Sequence, residues 1–298
     1  LGYLCSSNRK AISWRTVGGA FLMQVILAVF VLRTPLGVKA LQWLTIRVSD
    51  LIGAGEKGIS FLFGQMSDSG GGVGGVFAFK VLPVIIFFSS LIAVLYHLRI
   101  MQMVILLVGG GLRKVLGTSR AESFSAAANI FVGQTEAPLV IRPYLPKMTS
   151  SELFAVMVGG LASIAGSVLA GYAAMGARMD HLIAACFMAA PGGLLFAKLI
   201  MPETEEINDN KIELAEGDDQ PENVIDAAAL GASSGLKLAL NVGAMLLAFV
   251  GLIALANLFF GEVGGWFGDP QFSLEKLLGW IFAPVAYLIG VNGGEIQQ

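Results

Sequence analysis

The stretch Asn129-Ile130-Phe131-Val132-Gly133-Gln134-Thr135-Glu136-Ala137-Pro138 gathers two amides, a hydroxyl and a carboxylate between apolar arms. Together they offer donors, acceptors and one negative charge within a few residues. An ionised side chain at bilayer depth costs about 2.5–3.5 kcal/mol, so it persists mainly where it faces a cavity or a partner. Gly133 and Pro138 frame Gln134-Thr135-Glu136, and both residue types discourage a continuous helix. Broken helix at membrane depth is tolerated only where protein or water satisfies the freed backbone groups. The stretch therefore reads as a binding site inside a membrane.

Composition sets the solvent around that site. The chain has 298 residues, 55% hydrophobic and only 13% charged, with a mean hydropathy of +0.75. Soluble domains carry about 25% charged residues, so the deficit points to lipid. A net charge of −2 gives no reason to expect nucleic acid as a partner. Cys5 and Cys186 offer neither a disulfide framework nor metal spacing. His97 and His181 stand near expected membrane ends and read as interfacial residues.

The elements that must position the site follow from the apolar runs. Thr16 to Leu32 is about 26 Å long as a helix, enough to cross most of a bilayer core. Pro35 to Phe63 alternates Trp43, Ile46, Leu51 and Ile52 with Lys39, Arg47, Asp50, Glu56 and Lys57, the pattern of an amphipathic interfacial helix. Gly70 to Gly75 reads as a flexible connector, since no Gly-Lys-Ser/Thr follows to make a phosphate loop. Val81 to Leu98 is the next span, with Met101 to Val108 extending it. Segment 119–148 holds two arms too short to cross, one on each side of the break. Arg113, Lys114 and Arg120 precede it, while Arg142 and Lys147 follow it. Basic flanks at both ends favour one membrane side, which predicts a re-entrant hairpin rather than one kinked span.

Thr149-Ser150-Ser151-Glu152 is a capping-box pattern opening the next helix, expected over 151–175. Gly159, Gly160, Ser163, Gly166 and Ser167 lie mid-span, where small residues allow close packing and a helix can unwind. Leu182 to Ile200 is a span interrupted at Pro191-Gly192-Gly193. Residues 206–234 read as an acidic cytoplasmic loop, residues 235–261 as a long span, and residues 270–298 as the start of a second hairpin broken at Pro284. Arg9, Lys10 and Arg15 share a side with Arg113, Lys114 and Arg120, and that side reads as cytoplasmic. Both chain ends look cut short, so continuation is expected beyond each.

The motif Gly133-Gln134-Thr135-Glu136-Ala137-Pro138-Leu139 resembles that of the concentrative nucleoside transporters, bacterial sodium-coupled type. Supporting matches run in the family's order: Ala126 to Val132, Arg142-Pro143-Tyr144-Leu145-Pro146, Leu161 to Ser167, and Met201-Pro202-Glu203-Thr204-Glu205. The resemblance implies an all-α polytopic membrane protein with re-entrant hairpins and broken helices, a scaffold plus a transport domain, assembled as a homotrimer. It implies that Gln134, Thr135 and Glu136 contact the nucleobase with Val168 packing on it. It also implies a sodium site made by the side chains of Asn129 and Ser163 and the carbonyls of Val132 and Ile164. No cofactor is expected beyond sodium as coupling ion. The expected partners are a nucleoside and sodium, in a bacterial inner membrane. Ribose-binding residues would fall beyond Gln298. Residues 1–110 are expected to hold scaffold spans and the interfacial helix, and 111–205 the transport-domain part. In motion, Thr16–Leu32, Val81–Leu98 and Leu236–Phe260 are expected to stay fixed.

The residues agree with that resemblance on their own terms. An amide, a carboxylate and a hydroxyl complement a nucleobase edge, while sodium takes carbonyls and half-helix C-termini in secondary transporters. Proton-coupled nucleoside uptake stays open as an alternative. A carboxylate solute fits poorly, because Glu136 would repel it. An intramembrane enzyme finds no Gly-x-Ser-x-Gly or His-Glu-x-x-His motif to support it.

Overall fold

The computed structural model describes residues 2–64, 77–134, 137–141, 144–164, 166–174, 176–207, 221–266, 268–269 and 271–291. Among them every regular element is a helix: α1 Trp14–Arg33, α2 Pro35–Phe63, α3 Phe77–Lys80, α4 Leu82–His97, α5 Ile100–Leu116, α6 Arg120–Ala128, α7 Ala137–Val140, α8 Ser150–Ala162, α9 Gly166–Ala174, α10 Met179–Ile200, α11 Val224–Trp266 and α12 Leu274–Leu288. The expected all-α class holds. Among the described residues α1, α10 and α11 are each long and apolar enough to cross a membrane, and α4 with α5 makes a bent fourth candidate. The connector at Gly70 to Gly75 lies outside the described residues.

Local signals explain most helix ends. Ser13 caps α1 by accepting from the Thr16 N–H. Thr34 caps α2 by accepting from Gly37, with Pro35 at the first helical position, so the chain turns a tight corner. A Cβ at Gly37 would overlap the Phe30 carbonyl, which leaves glycine as the residue that fits this corner.

Four expectations need correction. First, residues 101–108 do not continue the preceding helix straight: α5 leaves α4 at an 82° bend. Arg99 takes a left-handed φ of 60° at that corner, which few non-glycine residues adopt. Second, Pro191 does not interrupt α10, which runs through it. The disturbed turn is supported from outside, because Gln24 of α1 donates to the Met188 carbonyl at 3.2 Å. Third, Pro284 likewise sits inside a continuous α12. Fourth, the acidic loop ends before 234, because α11 is already helical from Val224. The Asn223 side chain accepts from the N–H groups of Ile225 and Asp226, capping that earlier start.

Packing explains why α11 begins early. Gly231 and Gly235 form a small-xxx-small pair lying directly on α4 at Ser89 and Ser90. Ser90 seals this contact by donating to the Ala228 carbonyl at 2.9 Å.

The chain divides into two compact units, Leu1–Ala239 and Leu240–Gln298. In the first, α10 is the central helix: α1 lies along it on one side and α8 on another, while α5 packs on α6. Their shared core includes Ala20, Ile105, Leu116, Ala127, Val132 and Leu194. In the second unit, Asn257 accepts from the Leu274 N–H at 2.8 Å and donates to Glu275. Its apolar surface is open, with Leu247, Leu255 and Ile281 all exposed.

Candidate functional site

Two short helices, α6 and α8, build the site, and each begins with the same device. Ser119 and Thr149 accept from the N–H groups of Glu122 and Glu152, whose carboxylates accept from the cap N–H groups in return. Both are capping boxes, and they satisfy orphan donors at each helix start. The one at Thr149 is legible as a motif. The one at Ser119 has the same spacing, Ser119-x-x-Glu122.

These two starts meet at one cation. The Lys198 ammonium, near the end of α10, is paired with the Glu122 carboxylate. It donates to Ser151 Oγ at 2.8 Å and reaches Glu203 at 3.4 Å. Glu203, from the Met201-Pro202-Glu203 turn, accepts from Thr149 Oγ1 at 2.8 Å. Ser151 in turn donates to the Met201 carbonyl at 2.6 Å. Lys198 therefore ties the residues just before segment 119–148 to those just after it. The segment leaves from and returns to one place, as a re-entrant hairpin must. A cavity of about 210 Å³ opens beside this knot, lined by Ser13, Thr16, Thr118, Glu122, Lys198 and Glu203 among others.

Arg15 lies at the same end. The Thr16 hydroxyl donates to the Leu116 carbonyl at 2.9 Å, and Gly117 lies beside the Arg15 guanidinium. The Ser7 N–H donates to the Ile200 carbonyl at 2.8 Å. Arg15, residues 116–122, Thr149 and Ile200 thus share one end of the first unit, as the positive-residue pattern anticipates.

The other ends of α6 and α8 carry the candidate ligands. α6 closes at Asn129, whose N–H donates to the Ser125 carbonyl at 2.9 Å. Its side chain is buried, yet neither amide atom has a hydrogen-bond partner. Such orphans cost about 1–3 kcal/mol, so a ligand, ion or water is needed to explain them. α8 stops at Ser163, whose backbone is extended at φ −110° and ψ 156°, and α9 resumes at Gly166. The expected broken helix is thus found, with Ser163 and Ile164 in the gap. Ser163 makes a long bond to the Gly160 carbonyl at 3.4 Å. The Ile164 carbonyl receives a weak contact from Cys186 Sγ at 3.9 Å. Val132 is fully buried at the end of the first arm.

Glycines bring the two breaks together. A Cβ at Gly159 would stand 3.3 Å from Asn129 Nδ2, and one at Gly160 would stand 3.1 Å from Gln134 Cβ. α8 therefore lies directly on the hairpin's first arm at Asn129 and Gln134. Gln134 is exposed beside this contact, and Val168 is half-buried on α9. Thr135 and Glu136 lie outside the described residues. The first arm is anchored from behind by an edge-to-face contact of Phe131 with Phe187 at 6.1 Å.

The arrangement offers neutral oxygens beside two helix breaks, a construction that secondary transporters use for cations. Residues 1–66 and 181–298 match the family models described as Na+ dependent nucleoside transporter N-terminus and C-terminus, and residues 78–179 match one described as nucleoside recognition. An uncharacterized transporter of Haemophilus influenzae is 59% identical over 99% of this chain and 70% of its own length. The nucleoside permease NupC of Helicobacter pylori is 52% identical over 98% of this chain and 70% of its own. The structure of CNTnw in an inward-facing substrate-bound state is 56% identical, with a TM-score of 0.92 over 99% of this chain and 71% of that one. A CNTnw variant in an outward-facing state gives 0.94 at 57% identity, over 99% of this chain and 72% of that one. This chain belongs to the Na+-dependent nucleoside transporter family.

Proposed function

We propose that the protein takes up nucleosides together with sodium across a bacterial inner membrane, as a homotrimer working by an elevator movement. The observation that carries this reading is Asn129: a buried carboxamide with both polar atoms unpartnered, held where two helices break. Asn129 and Ser163 offer side-chain oxygens to sodium, and Val132 and Ile164 offer carbonyls. Gln134, Thr135 and Glu136 contact the base, with Val168 against its face. Glycine contacts between α8 and the first arm keep these two sets together.

The moving body comprises the hairpin, α8 and α10, tied by Lys198. The packing also supports adding α1, contrary to the expectation that Thr16–Leu32 stays fixed. α1 lies along α10, and its Gln24 and Thr16 bond to Met188 and Leu116. α4 and the start of α11, joined through Gly231 and Gly235, serve as scaffold. The sliding contact is then between α4 and α9, where Val81 meets Gly171.

Uptake of labelled uridine into vesicles tests the proposal. Replacing sodium by choline at fixed pH should abolish accumulation, and Asn129→Ala should raise the sodium needed for half-maximal uptake. Accumulation that follows an imposed proton gradient without sodium would instead favour proton coupling. In the same assay, a disulfide joining α1 to α10 should leave uptake intact, whereas one joining α4 to α9 should arrest it. The opposite pattern would remove α1 from the moving body.

A further inference from the structure

The polar face of α6 continues past Asn129 to a residue that none of the family's matched motifs uses. Ser125 lies one turn earlier, and the Asn129 N–H bonds its carbonyl at 2.9 Å, so regular helix carries both side chains on one face. The Ser125 side chain is 1% exposed, and its hydroxyl has no hydrogen-bond partner. That is unusual chemistry for a helical serine, which ordinarily satisfies itself on a carbonyl of the preceding turn. Ser123, on the same helix, is satisfied in another way, by pairing with the Thr118 hydroxyl at 2.7 Å. The two unpartnered residues therefore stand together, buried and one turn apart.

We propose that Ser125 is a positioning residue of the cation site, holding an ordered water that bridges its hydroxyl to Asn129 and the bound ion. The inference rests on the reading of Asn129 as a sodium ligand. Cβ atoms one turn apart on a helix are about 5–6 Å from each other. A water about 2.8 Å from each of two oxygens spans nearly that gap. Buried waters are held by about three such bonds, and this site supplies a hydroxyl, an amide and an ion. The water also explains why an unpaired hydroxyl is kept where alanine would pack as well.

The test compares Ser125→Ala with Asn129→Ala in the full-length protein, in detergent. Nucleoside binding is titrated by calorimetry across sodium concentrations, and melting is followed with and without sodium. Ser125→Ala should raise the half-saturating sodium concentration about 3- to 10-fold, the size expected for one lost water-mediated bond. Nucleoside affinity at saturating sodium should stay unchanged, and sodium-free melting should not fall, because no protein bond is lost. Ser125→Cys, of nearly the same size but a poor partner for water, should behave alike. A hydroxyl with only a structural role would leave the sodium dependence where it was. If Asn129→Ala shifts that dependence and both Ser125 variants do not, the bridging water is refuted and the sodium site survives. If neither position shifts it, the sodium reading itself fails, and this inference falls with it.

Discussion

The two ends of α6 and α8 differ in one respect that organises the molecule. At their N-termini three carboxylates are answered: Glu122 by Lys198, Glu203 by Lys198 and Thr149, Glu152 by the Thr149 N–H. At their C-termini the polar atoms of Asn129 and Ser125 are buried and unanswered. The same pair of helices is thus closed at one end and open at the other. A satisfied end holds its geometry at all times, while an unsatisfied end has chemistry left for a ligand. The difference separates what keeps the body rigid from what loads it, and each part can be broken without the other.

The largest effect is expected at the closed end. Removing one partner of a buried ion pair leaves an uncompensated charge and costs about 3–5 kcal/mol. Lys198→Met should therefore lower the melting temperature sharply in detergent. Adding Glu122→Gln to it should recover much of the loss, because no lone carboxylate then faces the cavity. In whatever folded protein remains, the sodium dependence of binding should match the parent. A Lys198→Met protein that melts normally but has lost its sodium response would erase the proposed division, since the closed end would then be part of the site.

A smaller, opposite pattern is expected at the open end. Gly159→Ala adds a methyl that would stand 3.3 Å from Asn129 Nδ2, while Gly193 already packs its own backbone against Gly159. Neither backbone can yield far, so the carboxamide must turn. Overpacking of this kind costs about 1–3 kcal/mol, and here it should fall mainly on binding. Half-saturating sodium should rise by about tenfold, with melting in the absence of sodium little changed. Equal sodium affinity in the variant would place Asn129 outside the ion site.

Much of this was legible in the sequence, and the rest was not for identifiable reasons. A break before Gln134, the hairpin inferred from its basic flanks, and the unwinding at Ser163 all follow from local chemistry, although α6 closes at Asn129, earlier than Gly133, and Pro138 lies within α7. The prolines at 191 and 284 misled the reading, because long helices absorb a proline where neighbours support the disturbed turn, and Gln24 comes from far away in the chain. The early start of α11 depended on Gly231 and Gly235 meeting α4, and tertiary packing of this kind leaves only a spacing in the sequence. The partnership of Lys198 with Glu122 was invisible, since a lone lysine at the end of an apolar run reads as an interfacial charge. Ser125 carried no signal at all. Its significance lies in a bond it does not make, and only coordinates reveal that.

The smallest expected difference lies within the closed end, between its two caps. Losing an N-cap hydroxyl costs about 0.5–2 kcal/mol in general. Ser119 Oγ accepts from Glu122 at 3.3 Å, a long bond. Thr149 Oγ1 accepts from Glu152 at 3.1 Å and also donates to Glu203 at 2.8 Å. Thr149→Ala therefore strips two bonds, one of them charge-assisted, and leaves Glu203 dependent on Lys198 and its neighbouring N–H groups. It should cost about 1 kcal/mol more than Ser119→Ala. Thermal melts of the two variants, with and without sodium, measure this directly. Thr149→Ala should melt below Ser119→Ala, and sodium should raise both by the same increment as in the parent. Equal melting would mean that Glu203 contributes nothing through Thr149, leaving Lys198 and the Ser151 bond to Met201 to hold the turn at Pro202. An increment that shrinks in either variant would instead couple the caps to the ion. The rigid end would then have to be redrawn as part of the switch.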